Sequence, residues 1–133
     1  MGYGTEPAKD GYALMRWGDF NARIKYRLVR TLRTSKDRAE QKGIPHDIDI
    51  DYLLSIYPKD NKCPILGTEF EFGADKIRTR PSLDRIIPNK GYAKGNVVFI
   101  SNLANTIKTS ANSEEILKVG KWLKKYEKWG KLE

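Results

Sequence analysis

The sequence predicts an α+β domain with little sheet: a compact ββα unit between a basic N-terminal helix and an amphipathic C-terminal helix. Three observations carry this. Apolar residues recur at helical spacing from Trp17 to Lys42 and again from Asn112 to Trp129. Asn96-Val97-Val98-Phe99-Ile100 is a short β-branched run that reads as a strand. Ahead of it, a strand candidate ending near Asp84 is joined to it by the glycine-bearing loop PNKGYAKGN.

Residues 1–15 are glycine-rich and mixed, and read as a loosely held arm. In the first helix Phe20, Ile24, Leu28 and Leu32 recur at every fourth position, and Ala39 continues the face. Around them stand Arg23, Lys25, Arg27, Arg30, Arg33, Lys36, Arg38 and Lys42, opposed by Asp37 and Glu40. Gly43 and Pro45 stop the helix. IPHDIDIDYLLSIYP predicts a short extended piece and a second helix, capped by Asp47 or Asp49, with Tyr52, Leu53 and Ile56 inward and Pro58 past its end. A short strand is expected around Ile65–Phe72, punctuated by Gly67 and Gly73, and another in KIRTRPSLDRII, closed by Pro88. SNLANTIKTS after the β-branched run reads as a short helix. In the C-terminal helix, Asn112 and Glu115 form a capping pair, and Ile116, Val119, Leu123 and Tyr126 are expected to line a buried face. The three tryptophans, Trp17, Trp122 and Trp129, read as core or helix-packing residues.

The length of 133 residues sets a single domain: a helical part at 17–58, the ββα core at 63–110 and the last helix at 112–129. The longest apolar runs fall far short of the roughly 20 residues that span a bilayer. No basic segment leads into an apolar stretch at the N-terminus, so a cytoplasmic location and no membrane partner are expected. Cys63 stands alone, which excludes an intramolecular disulfide and a multi-cysteine zinc site. The net charge of +8, concentrated on the first helix, favours a polyanionic partner, nucleic acid first.

Folded as ββα, residues 81–109 bring the end of the first strand against the following helix. Asp84 and Asn105 then converge, both offering oxygen to one hard cation. Mg²⁺ accepts such a site, with few protein ligands and the rest from water and phosphate. Asn96, at the end of the loop, is placed to tie that loop to the backbone through its amide. His46, in Pro-His-Asp-Ile-Asp at the start of the second helix, is the one imidazole available as a base, and its setting equally fits an exposed or capping histidine. Tyr92 in KGY reads as a packing anchor, and Lys90 and Lys94 in the loop as phosphate contacts.

These residues carry a resemblance. PSLDRIIPNKGYAKGNVVFISNLANTIK resembles the core of the HNH, or His-Me finger, endonuclease superfamily, whose fold is a ββα-metal unit. More narrowly it is similar to small, mostly phage-encoded proteins with a core of CP-x-x-G, PSLDRIDP-x-KGY-x-x-GNV and N-x-x-K. The chain supplies CPILG at 63–67, PSLDRIIPNKGY at 81–92, GNV at 95–97 and NTIK at 105–108. The resemblance implies a metal-dependent endonuclease acting on DNA rather than RNA, in a host cell's cytoplasm if phage-encoded. Asp84 and Asn105 would hold one divalent cation, commonly Mg²⁺, with Mn²⁺ as the other choice and no structural zinc. Asp84, Arg85, Asn96 and His46 become the candidate catalytic residues. Arg23, Arg27, Arg30, Arg33, Arg38, Lys90, Lys94 and Lys108 become the nucleic-acid contacts.

Two departures matter. The superfamily usually places histidine after the strand-end aspartate, as general base, and Arg85 stands there instead. A guanidinium stays protonated at usable pH, so Arg85 is limited to binding phosphate or stabilising charge. Ile87 replaces a second aspartate common in the narrower group. Both departures keep open the alternative of a non-cleaving scaffold that binds nucleic acid or a host protein.

Overall fold

The computed structural model describes the backbone of residues 17–127 and the side chains of residues 22–127. Phe20, Trp17, Trp129 and the N-terminal arm lie outside the described side chains.

Helix α1 spans Trp17–Lys42. Ile24 and Leu28 are 1 % exposed, Leu32 packs beside them, and the stripe continues through Ser35 and Ala39. The chain then turns at Gly43 (φ 66°) into the short helix α2, Ile50–Ile56. Asp49 is its cap: the carboxylate accepts the Tyr52 N–H at 2.8 Å. Leu53 is fully buried from this helix, and α2 packs against α1.

The strand expected around 65–72 does not form. The alternation in Thr68-Glu69-Phe70-Glu71-Phe72 fits a half-buried strand, but the segment has only one isolated bridge, Lys62↔Glu69. Positive φ at Gly67 and Gly73 bends both its ends. A tight turn replaces it, with the Gly67 N–H on Cys63 O at 2.8 Å and the Phe70 N–H on Asn61 O at 2.8 Å. Phe70 is nonetheless a core residue, in ring contact with Tyr57, which also meets Phe99 edge-on at 5.2 Å.

The sheet is one antiparallel pair, β1 (Pro81–Arg85) with β2 (Val97–Ser101), registered from Pro81↔Ser101 to Arg85↔Val97. Ser101 ends β2 and caps α3 (Asn102–Ser110), accepting the Ala104 N–H at 3.1 Å. Two further orphan donors at this helix start, Asn102 N–H and Leu103 N–H, go to the carbonyls of Arg80 and Arg78, which binds α3 to the beginning of β1. Helix α3 packs on both strands.

Helix α4 runs Ser113–Glu127. Asn112 and Glu115 form the reciprocal capping box: Asn112 N–H to Glu115 Oε1 at 3.0 Å, Glu115 N–H to Asn112 Oδ1 at 2.8 Å. The buried face expected of α4 is absent. No residue of the helix is buried, Val119 and Trp122 are more than half exposed, and Trp122 meets only Tyr126 among described rings, at 5.1 Å. Its apolar stripe satisfies helical periodicity without joining the core cluster, and the main packing of α4 among the described residues is against α3. The protein is thus mixed α+β, with four helices and a two-stranded antiparallel sheet among the described residues. No helix among the described residues is long and apolar enough to cross a membrane.

Candidate functional site

Side chains alternate across a strand, so β1 divides its residues between two faces. Ser82 and Asp84 face α3, where Ser82 Oγ takes a long 3.5 Å contact from Asn105 Nδ2. Asp84 is met by Lys108, whose Nζ lies 3.4 Å from Oδ1 and 3.3 Å from Oδ2. Asn105 and Lys108 are three apart on α3 and so lie on one helix face. The two rungs, Asn105 to Ser82 and Lys108 to Asp84, run side by side across the β1–α3 junction. The Asp84 side chain is 9 % exposed. Asn105 Oδ1 is buried and has no hydrogen-bond partner among the described residues.

Leu83 and Arg85 take the other face. The Arg85 guanidinium donates to Pro88 O at 3.1 Å and lies over the Tyr92 ring, 5.3 Å from its centroid. Adjacency in sequence therefore does not make Arg85 a neighbour of the Asp84 carboxylate on the α3 side.

His46 is on the Tyr92 side as well. It bridges Tyr92 along the backbone, and their rings lie 5.5 Å apart. Its Nε2 is 2.8 Å from Ser35 Oγ, while Ser35 donates to Leu32 O at 2.7 Å. A hydroxyl has one hydrogen, so the imidazole is the donor in the Ser35 contact. Burial pushes the His46 pKa below its usual 6.5 and the Lys36 charge pushes it further; its own backbone hydrogen bond and Asp47 act the other way. The unfolded chain therefore binds this proton more readily than the folded one. The associated stability is complete above about 6.5 and is lost as pH falls through the depressed folded value. Urea unfolding midpoints measured between pH 7.5 and 5 should fall on acidification, and His46→Gln should flatten that fall. An equal slope in the variant would contradict this assignment.

The loop between β1 and β2 is held from several directions. Asn96 Nδ2 donates to Gly91 O at 2.7 Å and Ile87 O at 3.0 Å, and its Oδ1 accepts the Ile87 N–H at 3.0 Å. Three loop backbone groups are thus satisfied by one buried amide. Two clamps come from the helical part, and neither is signalled in the sequence. Asp47 Oδ1 accepts the Lys94 N–H at 3.1 Å, and the Tyr52 hydroxyl accepts the Gly95 N–H at 2.7 Å. Tyr92, 2 % exposed, anchors the loop to the core. Lys90 and Lys94 stay exposed on its outer surface.

Compared with models of known families, with curated proteins and with solved structures, the chain matches none.

The basic residues of α1 meet a second feature. A cleft of about 760 Å³ is lined by Arg27, Arg30 and Arg38 of α1 and by Arg80, with Leu83, Tyr92 and Phe99 also in its wall. Leu83, Phe99 and Tyr92 place part of its wall on the sheet face opposite α3, and Pro81 and Ser82 line it at the start of β1. No acidic side chain lines it, and no basic side chain of α1 forms an ion pair among the described residues. Arg27 is stacked on Phe72 at 4.5 Å, and Arg80 donates to Gly73 O at 3.0 Å. Arg23 and Arg33 are exposed on the same helix but do not line the cleft. Arg80 escapes a reading of the sequence because it sits just before β1, far along the chain from the basic helix.

Cys63 is buried, and its Sγ accepts N–H groups of Ser101 at 3.3 Å and Leu66 at 3.4 Å. Burial alone would raise its pKa, but these donations together bring it below the ordinary thiol value. Its backbone partners, with the Ser101 side chain, tie the 63–67 turn to the end of β2.

Proposed function

We propose that the chain is a divalent-cation-dependent endonuclease of the HNH, or His-Me finger, type that hydrolyses phosphodiester bonds in DNA. The observation that carries the reading is a nearly buried carboxylate, Asp84, on the β1 face that meets α3, together with a buried amide oxygen on α3, Asn105 Oδ1, that has no hydrogen-bond partner among the described residues. An unsatisfied buried acceptor costs about 1–3 kcal/mol, so a ligand that completes it is favoured. Two hard oxygens on facing elements fit Mg²⁺ or Mn²⁺, with water and a phosphate filling the remaining positions. A lone buried thiol does not fit structural zinc. In this reading the protein's share of the ligands is Asp84 and Asn105, with no cluster of three His, Cys, Asp or Glu side chains among the described residues.

A divalent cation, when bound, supplies Lewis acidity toward the leaving oxygen. The chain's own residues do the rest. Asp84 and Asn105 hold and orient, and Asn96 fixes the loop that continues from the Asp84 strand. Lys90, Lys94 and Lys108 offer ammonium groups to phosphate. Arg85 stays protonated and turned toward Tyr92, and His46 donates its Nε2 proton to Ser35, so neither is placed as a general base on the Asp84 side. The test is conversion of supercoiled plasmid to nicked circles with Mg²⁺ or Mn²⁺, compared with Asp84→Ala. No nicking under either metal, or nicking unchanged in the variant, removes the reading.

One observation favours a second reading, a nucleic-acid-binding module that does not cleave. The arginine cleft does not include Asp84 in its lining and needs no metal to attract phosphate. Binding in the presence of chelator should weaken steeply with salt. Arg30→Ala with Arg38→Ala should lower the log–log salt slope by about 0.7–0.9 for each phosphate that is no longer neutralised. An unchanged slope would take the cleft out of the interface. Chelator-resistant binding without nicking would favour this second reading over the first.

A further inference from the structure

We infer that Lys108 is a built-in competitor for the cation site: its ammonium occupies the Asp84 carboxylate and must leave when a divalent ion binds. The inference rests on the cation-site reading and goes beyond it, because it assigns Lys108 to the metal-free state and makes its release the condition for loading.

The ammonium is almost equidistant from the two carboxylate oxygens, at 3.4 Å and 3.3 Å, so it sits astride the group and covers both. No other hydrogen bond to that carboxylate is present among the described residues. A carboxylate only 9 % exposed and without a counter-charge is strongly disfavoured, so Lys108 compensates it in the absence of metal. A divalent ion on the same oxygens would compensate it better and would repel the ammonium at this range. The two cations are therefore alternatives.

Their exposure decides which partner moves. Asp84 is fixed in β1, whereas the Lys108 side chain is 38 % exposed at the last turn of α3 and has a flexible four-carbon stem. Asn105, one turn earlier, shows what Lys108 leaves undone. Its Oδ1 has no partner among the described residues, while the contacts of the Lys108 ammonium there are with the Asp84 carboxylate. A cation shared by Asp84 and Asn105 would satisfy both groups and release Lys108 outward. The released ammonium would lie next to the loaded site, within reach of a phosphate there. Metal and phosphate would then favour each other's binding through this one side chain.

The experiment uses Mn²⁺ alone as the probe, titrated into the full chain while the free-ion electron paramagnetic resonance signal is followed. Wild type, Lys108→Met, Lys108→Gln, Lys108→Arg and Asp84→Asn are compared, with thermal unfolding of each to confirm folding. Lys108→Met and Lys108→Gln should bind Mn²⁺ about two- to fivefold more tightly than wild type, on the scale of losing one close, partly exposed competing charge. Lys108→Arg should stay near wild type, which separates charge from packing. Asp84→Asn should abolish the binding. Asp84-dependent binding that is equal or weaker in the two neutral variants overturns the competitor role and leaves the cation site standing. Absence of Asp84-dependent binding in every variant overturns the cation site, and the competitor role with it.

Discussion

Asp84→Ala should reduce metal-dependent nicking by at least about 10²–10³-fold, the scale on which loss of one charge-stabilising group is felt in an active site. The variant should nevertheless stay folded. The carboxylate forms no backbone hydrogen bond among the described residues, and its one partner there, Lys108, is exposed enough to turn to solvent. Removing the carboxylate also removes the cost of holding a charge in a 9 % exposed position, which offsets much of the missing ion pair. The melting temperature should therefore change little while activity disappears. That combination distinguishes a functional carboxylate from a structural one. A large fall in melting temperature with proportionate loss of nicking would assign Asp84 to the fold instead. Asn105→Ala should lower nicking too, and here stability should hold or rise slightly, because the substitution deletes a buried acceptor that has no partner among the described residues.

The elements that were legible in the sequence are those whose signal is local. Helix α1 follows from Ile24, Leu28, Leu32 and Ala39 on one face, and the start of α4 from Asn112 and Glu115, because a periodic stripe and a capping box depend only on the nearest turns. Where the signal needed a partner, it misled. Thr68–Phe72 alternates as a strand should, yet its pairing with residues 61–63 stops at one isolated bridge, and the chain turns at Gly67 and Gly73. The apolar stripe of α4 is real, but periodicity says that a face exists, not that anything covers it.

The candidate site divides in the same way. That β1 and α3 meet was readable because strand, loop and helix follow one another directly, which leaves few ways to place them; the side-chain contacts across that junction are Asn105 to Ser82 and Lys108 to Asp84. Strand alternation was also available and sends Arg85 to the Tyr92 side, an outcome that the motif comparison with Asp-His sequences obscures. What could not be read were contacts between distant segments. Asp47 and Tyr52 hold the loop at Lys94 and Gly95 across more than forty residues of sequence, and Arg80 completes a cleft begun by α1. The resemblance offers Lys108 as a phosphate contact, but its hold on Asp84 depends on the register between β1 and α3, which the sequence does not give.

Gly91→Ala should be the most destabilising change in the loop, at about 4 kcal/mol, lowering the melting temperature by more than about 10 °C. Two causes act together. Gly91 has φ 73° and ψ −160°, a region essentially confined to glycine, where any Cβ is strained by about 1–3 kcal/mol. A Cβ there would also lie 2.5 Å from Pro45 O and 2.9 Å from the Pro45 ring, backbone and ring atoms that cannot rotate away. The Pro45 carbonyl in turn accepts the Tyr92 N–H at 2.9 Å, and the Asp47 N–H returns to Tyr92 O at 3.0 Å. Gly91 is thus where the helical part and the β1–β2 loop come into direct backbone contact, and a methyl group would push them apart at the residue that anchors the loop. Gly95→Ala is the control. It too has positive φ, at 88°, but nothing lies within 4 Å of its Cβ, so only the backbone cost of roughly 1–2 kcal/mol remains. Paired chemical denaturation curves measure the difference. If the two substitutions cost the same, close approach to Pro45 adds nothing and conformation alone sets the requirement for glycine. If Gly91→Ala costs several kcal/mol more, the contact with residues 44–48 holds the loop in place, and nicking should fall in the folded fraction because the strand carrying Asp84 leads directly into that loop.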